Sequence, residues 1–283
     1  MKHRYGLFGA YLLAIGLLFA SAWSVAGPVL KRRVDAVGTG SVNARILASF
    51  QTHIRPAQEW YVTVLDGGTP STAQFAAFSR QFATATFVSF TYEYTVNGRS
   101  MQRVYHARSG HNEPNTGMAG VRAPRSYRSF FTHQGADIVA WHDARPNTST
   151  VTVSPVPGDN FPQQRKRDAE LKVAQRIERD ILAGRVPAGG QLYGFSSQEP
   201  CASCEAALQA LSDRRNITVR VSFLGFGSAA YTAFDRLRHQ HLTSIEVAVN
   251  GGQLNLLNQS AESPDARVGV ACIDTPGDGE VAD

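Results

Sequence analysis

The last third of the chain switches repeatedly between two hydrophobic periodicities, and this restricts the fold more than any other feature. Over residues 168–182, Val173, Ala174, Ile177 and Ile181 recur at helical spacing, and Gly184 and Pro187 end the run. The pattern then predicts a strand over 191–195, a helix from about 201 to 214, a strand over 217–223 and a helix over 229–239. Residues 242–249 alternate once more and are expected as a strand, closed by Asn250-Gly251-Gly252. Helices that cross between strands point to an α/β protein, a three-layer α/β/α arrangement with a mixed sheet.

Upstream, the strongest local signal is a hairpin. Val88, Phe90, Tyr92, Tyr94 and Val96 alternate with polar residues, Asn97-Gly98 supplies the turn, and residues 101–106 return. Phe75, Phe78 and Phe82 place an amphipathic helix over 73–83. Residues 34–58 read as a mixed linker or short helix, and the alternation over 60–65 reads as a strand. Residues 109–124, rich in Gly, Pro and Asn, read as a loop. A short strand is expected near 138–141, and β-branched alternation suggests another over 148–156.

Two short motifs carry chemistry. Glu170 stands at the head of the apolar stripe of its helix, where a carboxylate costs free energy unless it is paired or protonated. It is either a positioned acid/base or an exposed residue favoured by the helix N-terminus. Cys201 and Cys204 lie one helical turn apart behind Pro200, on one face with Leu208 and Leu211. Two thiolates so placed can share a zinc ion at about 2.3 Å each, or form a redox pair. Asp168 is a candidate N-cap and a candidate oxygen ligand. Leu171 stands where a capping box would want Glu or Gln.

Together, Asp168-Ala169-Glu170 followed by Pro200-Cys201-Ala202-Ser203-Cys204 resembles the H-x-E … P-C-x-x-C pattern of the nucleic-acid and nucleotide deaminase superfamily, the cytidine deaminase-like fold. The segment from Leu192 to Cys201 is similar to the strand and metal helix of tRNA adenosine deaminases. The resemblance spans roughly residues 85–250. It implies Zn2+ held by Asp168, Cys201 and Cys204, with Glu170 as proton shuttle, and hydrolytic deamination of cytosine or adenine in nucleic acid or a nucleotide. Asp168 replaces the usual His or Cys, which makes the site one charge more negative than the His version. His106, His111, His133 and His142 are alternative ligands. Phe195, Ser197 and Asn115 are candidate substrate contacts, as are Tyr105 and Tyr231 for stacking, and the run Arg165–Arg167 could meet phosphate.

The N-terminus bears on location. Lys2, His3 and Arg4 precede an uncharged, mostly apolar run to Leu30, with small residues at Ala20, Ala22, Ser24 and Ala26. This reads as a signal peptide over residues 1–26, with an uncleaved membrane anchor as the alternative. Residues 27–84 then form an N-terminal linker or helical region, residues 85–258 the deaminase-like domain and residues 259–283 a polar tail. Export ahead of such a domain resembles the bacterial toxin deaminases, for which a cognate immunity protein is expected. The net charge of +5 is compatible with a polyanionic substrate. Only three cysteines occur, too few for a disulfide framework, and Cys272 is expected as a buried hydrophobe. Two other functions fit the same motifs. One is a periplasmic thiol-disulfide oxidoreductase using Cys201 and Cys204; the other is a secreted binding protein with a structural zinc.

Overall fold

The computed structural model describes residues 27–250, apart from 39–40, 122, 124, 132–136, 144–148 and 153–164. The expected signal segment, the polar tail, Cys272 and His133 lie outside the described residues. The fold is α/β, a mixed six-stranded sheet with five helices. The strands are β1 (Leu30–Val34), β2 (Phe87–Val96), β3 (Arg99–Arg108), β4 (Ile138–Val139), β5 (Gln191–Ser196) and β6 (Thr218–Leu224). The helices are α1 (Ser41–Leu65), α2 (Thr72–Ala83), α3 (Ala169–Leu182), α4 (Ala202–Arg215) and α5 (Ala229–Asn250). The sheet order is β1-β6-β5-β2-β3-β4. β1, β6 and β5 run parallel, β2 lies antiparallel to both β5 and β3, and β4 runs parallel to β3.

The hairpin forms as its turn residues require. Asn97 and Gly98 take φ of 51° and 75°, the left-handed pair of a tight two-residue turn, and Val96 pairs with Arg99. Alternation along the strands divides the apolar residues into two cores. Val88, Phe90, Tyr92, Leu192, Val219 and Val221 pack with α3 and α4. Phe87 and Leu224 pack with α1, α2 and α5. Gly194 is required by close packing: a Cβ there would lie 2.4 Å from the ring of Phe90 on the neighbouring strand.

Of residues 34–58, expected as a mixed linker or short helix, the helical alternative holds from Ser41, where α1 begins and runs for 25 residues. Three expectations are corrected. Residues 60–65 extend that helix instead of forming a strand. Ile46, Phe50, Ile54, Ala57, Tyr61 and Val64 recur every three or four positions and are all buried, so packing of one helical face overrides the β-branched alternation. Residues 242–249 likewise continue α5. Leu242, Ile245 and Val249 are buried at helical spacing, whereas Val247, which an alternating strand would bury with Ile245 and Val249, is 66% exposed. The strand expected over 148–156 is absent over the described residues 149–152. A strand not foreseen, β1, follows directly on the apolar N-terminal run. Its four exposed residues, Leu30, Lys31, Arg32 and Arg33, form a charged edge.

Candidate metal centre

β5 lies between α3 and α4 in the sequence, and the N-terminal ends of both helices meet near its C-terminal end. α3 starts at Asp168, whose backbone is extended (φ −65°, ψ 142°) as an N-cap residue requires. Its side chain makes no capping hydrogen bond. The carboxylate turns to the thiols instead, with Oδ2 3.3 Å from Cys204 Sγ and 3.6 Å from Cys201 Sγ. α4 starts at Cys201, whose sulfur accepts from the Cys204 backbone N–H at 3.4 Å. The two sulfurs are 3.3 Å apart, and both cysteines are free. At zinc–sulfur and zinc–oxygen bond lengths of about 2.3 and 2.0 Å, a tetrahedron has S···S and S···O edges of about 3.8 and 3.5 Å. The three donor atoms therefore sit within about half an ångström of the spacing that a shared zinc ion needs, and their chemistry suits zinc.

Glu170 is buried, two residues along the chain from Asp168. Ser196 Oγ, at the end of β5, donates to its Oε1 at 2.9 Å. Its Oε2 lies 3.7 Å from Cys204 Sγ. Burial raises its pKa above the ordinary carboxylate range, against the hydrogen bonds of its own backbone and of Ser196. The thiols are differentiated. The hydrogen bond from Cys204 lowers the Cys201 thiol to about 7, while the same pairing, burial and the nearby carboxylates push Cys204 up. Arg165 lies 3.6 Å from Asp168 Oδ2 and offsets part of the negative charge. Asp168 and Cys201 are half-buried and Glu170 and Cys204 buried, so the site opens on the Asp168–Cys201 side.

Two supporting residues escaped the sequence reading. Ser196 fixes one oxygen of Glu170. Lys172, buried one turn from Asp168, donates to the carbonyls of Arg108 (2.7 Å) and Gly110 (2.8 Å), tying the end of β3 to α3. Burial holds its pKa well below the usual lysine range. The only sequence signal for Lys172 was a lysine set among Leu171, Val173 and Ala174.

The other expected site residues lie apart from this cluster. The Ser197 hydroxyl is committed to the Phe87 backbone N–H at 2.9 Å. Phe195 projects to the opposite sheet face from Ser196 and lines a cleft of about 540 Å³ with Lys31 and Arg220. Asn115 accepts from the Gly117 N–H through Oδ1 and borders a cleft of about 790 Å³ beside Trp60 and Glu113. Tyr105 is fully buried and donates to Asp180, so it offers no stacking face. Tyr231 packs against Phe226 with ring centres 5.3 Å apart. Among the described histidines, His106 pairs with Asp137, His111 with Arg167, and His142 borders Asn112 through its backbone. None of the three joins the cluster of Asp168, Cys201 and Cys204. Arg167 reaches His111, not the cluster. No helix among the described residues is long and apolar enough to cross a membrane. Comparisons with protein families, curated proteins and solved structures return no match.

Proposed function

We propose that the chain is a zinc-dependent hydrolytic deaminase acting on a cytosine or adenine base in nucleic acid or a nucleotide. The observation that carries this reading is the convergence of Asp168, Cys201 and Cys204 around one point with Glu170 directly beside it. A structural zinc site does not need that second carboxylate. The helix–strand–helix connection through β5 and the two cores flanking the sheet support the three-layer, cytidine deaminase-like fold.

Asp168, Cys201 and Cys204 would hold the metal, and zinc bound there supplies Lewis-acid activation of water near neutral pH. Ser196 anchors Oε1 of Glu170, which leaves Oε2 to hold the moving proton on the side facing the thiols. Its raised pKa suits a group that passes a proton from water to the ring nitrogen and then carries a second proton from the hydroxyl added to the ring carbon to the departing amine. The helix N-termini and Arg165 compensate the extra negative charge that Asp168 brings relative to a histidine. Export through residues 1–26, a toxin role and an immunity partner belong to the same proposal.

The test measures zinc per chain and ammonia release from cytidine- and adenosine-containing RNA, DNA and nucleotides, with wild type beside Glu170→Gln. Zinc in both proteins and ammonia from the wild type alone are expected; a metal-free wild type after refolding with zinc would overturn the reading. One observation favours a second function. The lowered Cys201 thiol beside a raised, buried Cys204 also suits a thiol-disulfide oxidoreductase. A reversible Cys201–Cys204 disulfide in a metal-free protein would favour that function.

A further inference from the structure

α1 packs across β2, β3 and β5, and α5 packs on α1 and α2. Towards β6 and β1 the same face of the sheet is open, with Arg220, Arg32 and Leu30 exposed. Alternation and register fix which side chains share it. Tyr193 on β5 pairs with Arg220 on β6, while Phe195 on β5 and Arg32 on β1 flank Ser222 between them. With Val42 from the first turn of α1, these five line the cleft of about 540 Å³. No carboxylate lines it. Lys31, the third lining cation, is engaged by Glu205 at 2.8 Å and Glu199 at 3.2 Å. Arg32 and Arg220 have no ion pair or hydrogen bond to the described residues, so they carry the net charge of the cleft.

Two arginines alone would be an ordinary solvated surface. The aromatic residues beside them select a ligand. Tyr193 belongs to neither apolar core and pairs with no other ring among the described residues. Its hydroxyl donates to Gln191 on the same strand, which braces the ring along the sheet. Phe195 follows two residues on, about 6.6 Å away at 3.3 Å per residue. Strands lie about 4.8 Å apart, so Arg220 stands one strand outward of Tyr193 and Arg32 two strands outward of Phe195. Each ring thus has a guanidinium on its outer side, within about 5–10 Å. A base stacked on either ring would direct its sugar and phosphate over β6 and β1, towards an arginine suited to phosphate oxygens. The ring-and-cation pair occurs twice, and a mononucleotide would use only half of it. An acidic peptide would satisfy the arginines and leave the rings without a partner. In a duplex the base faces are already stacked on one another.

We infer that the open face of β5, β6 and β1 binds single-stranded nucleic acid, with bases on Tyr193 and Phe195 and phosphates at Arg220 and Arg32. This surface lies on the opposite side of β5 from Ser196 and Glu170 and uses no residue of the metal centre. It therefore stands whether or not the chain is a deaminase. Phe195 also packs against the core beneath α1, so Tyr193, Arg32 and Arg220 are the residues to change.

The experiment follows fluorescence anisotropy of labelled RNA and DNA single strands of about twelve nucleotides, a length within the range of single-strand sites. It compares the full-length wild type with Arg32→Gln/Arg220→Gln and with Tyr193→Leu across a salt series. The arginine variant is expected to bind roughly tenfold more weakly, with the slope of log affinity against log salt shallower by about 1.4, or 0.7 for each lost phosphate contact. Tyr193→Leu should also weaken binding roughly tenfold, the scale of one lost base stack, but with the salt slope unchanged. Arg220→Gln alone, at an exposed position, should give half the slope change if the double variant melts early. Binding of either polymer with this pair of signatures supports the inference. No binding of RNA or DNA by the wild type overturns it, as do equal affinity and slope in wild type and the arginine variants. A loss confined to the arginine variants, with Tyr193→Leu binding like wild type, also overturns it, because the patch is then a general polyanion surface. So does poly-glutamate that competes as well as an unlabelled oligonucleotide of the same charge, or arginine-dependent binding to phosphatidylserine vesicles with none to either nucleic acid.

Discussion

Replacing Glu178 with glutamine should loosen the clamp that holds the two ligand-bearing helices together. Glu178 sits on α3, fully buried. Its carboxylate accepts from Arg215 at the end of α4 through Nε (3.1 Å) and Nη2 (2.7 Å). It also accepts from Ser149 Oγ (2.5 Å), Thr150 N and Oγ1 (2.6 Å each) and Val151 N (3.0 Å). Burial alone would raise its pKa, but these hydrogen bonds outweigh it and bring the group from 4.5 down to about 2. At 1.36 kcal/mol per pKa unit that difference is worth about 3 kcal/mol of folding stability. The cost of breaking a buried ion pair, about 3–5 kcal/mol, agrees. Glutamine also turns an amide N–H₂ toward a ring of donors.

Because the folded pKa is depressed, the stabilisation is complete above pH 4.5 and is lost as pH falls through about 2. Urea melts at pH 7 should therefore place Glu178→Gln about 3 kcal/mol below wild type, equivalent to a Tm lower by about 6–12 °C in a domain of this size. The gap should be constant above about pH 5.5 and narrow steadily below pH 4.5. A variant within 1 kcal/mol of wild type at pH 7, or a gap that does not change with pH, refutes the reasoning.

Further expectations concern the metal centre and the sheet. Cys204→Ala should abolish zinc binding, read as metal per chain, because it removes the most buried ligand. Asp168→His should retain zinc and Asp168→Ala should lose most of it; equal zinc in all three proteins would remove Asp168 from the ligand set. Ser196→Ala frees one oxygen of Glu170 and should lower the deamination rate while leaving zinc content intact, with a changed pH profile distinguishing it from simple destabilisation. Gly194→Val drives a side chain into Phe90 and should cost about 1–3 kcal/mol in a denaturant melt, the usual range for overpacking.

The legible parts of the sequence were those where local chemistry and packing agree. Asn97-Gly98 can serve almost only as a tight turn, and the helices after Asp168 and Cys201 begin with residues suited to starting one. Trp60–Val64 and Leu242–Val249 mislead because every-other and every-third-or-fourth apolar spacing coincide over such short windows; only the partners of α1 and α5 decide. Four of the residues at the candidate site are adjacent to a motif and could be found. Ser196 and Lys172 act on groups 26 and 62 or 64 positions away, so their roles exist only once the sheet has formed. The substrate contacts fared differently, since Ser197 and Asn115 spend their polar atoms on backbone N–H groups nearby in space.

The pairing of β1 with β6 also governs the order of assembly. Leu30 meets Arg220, 190 positions along the chain, whereas β2 and β3 join across a two-residue turn. Closing so long a loop is entropically demanding before any contact rewards it. The hairpin and the β5–α4–β6 unit should therefore form early, and β1 should dock last. Until then β6 is an open edge, and Lys31, Arg32 and Arg33 keep the waiting strand from pairing with another chain. The same three charges that interrupt the apolar N-terminal run thus act as the guard of an unfinished sheet.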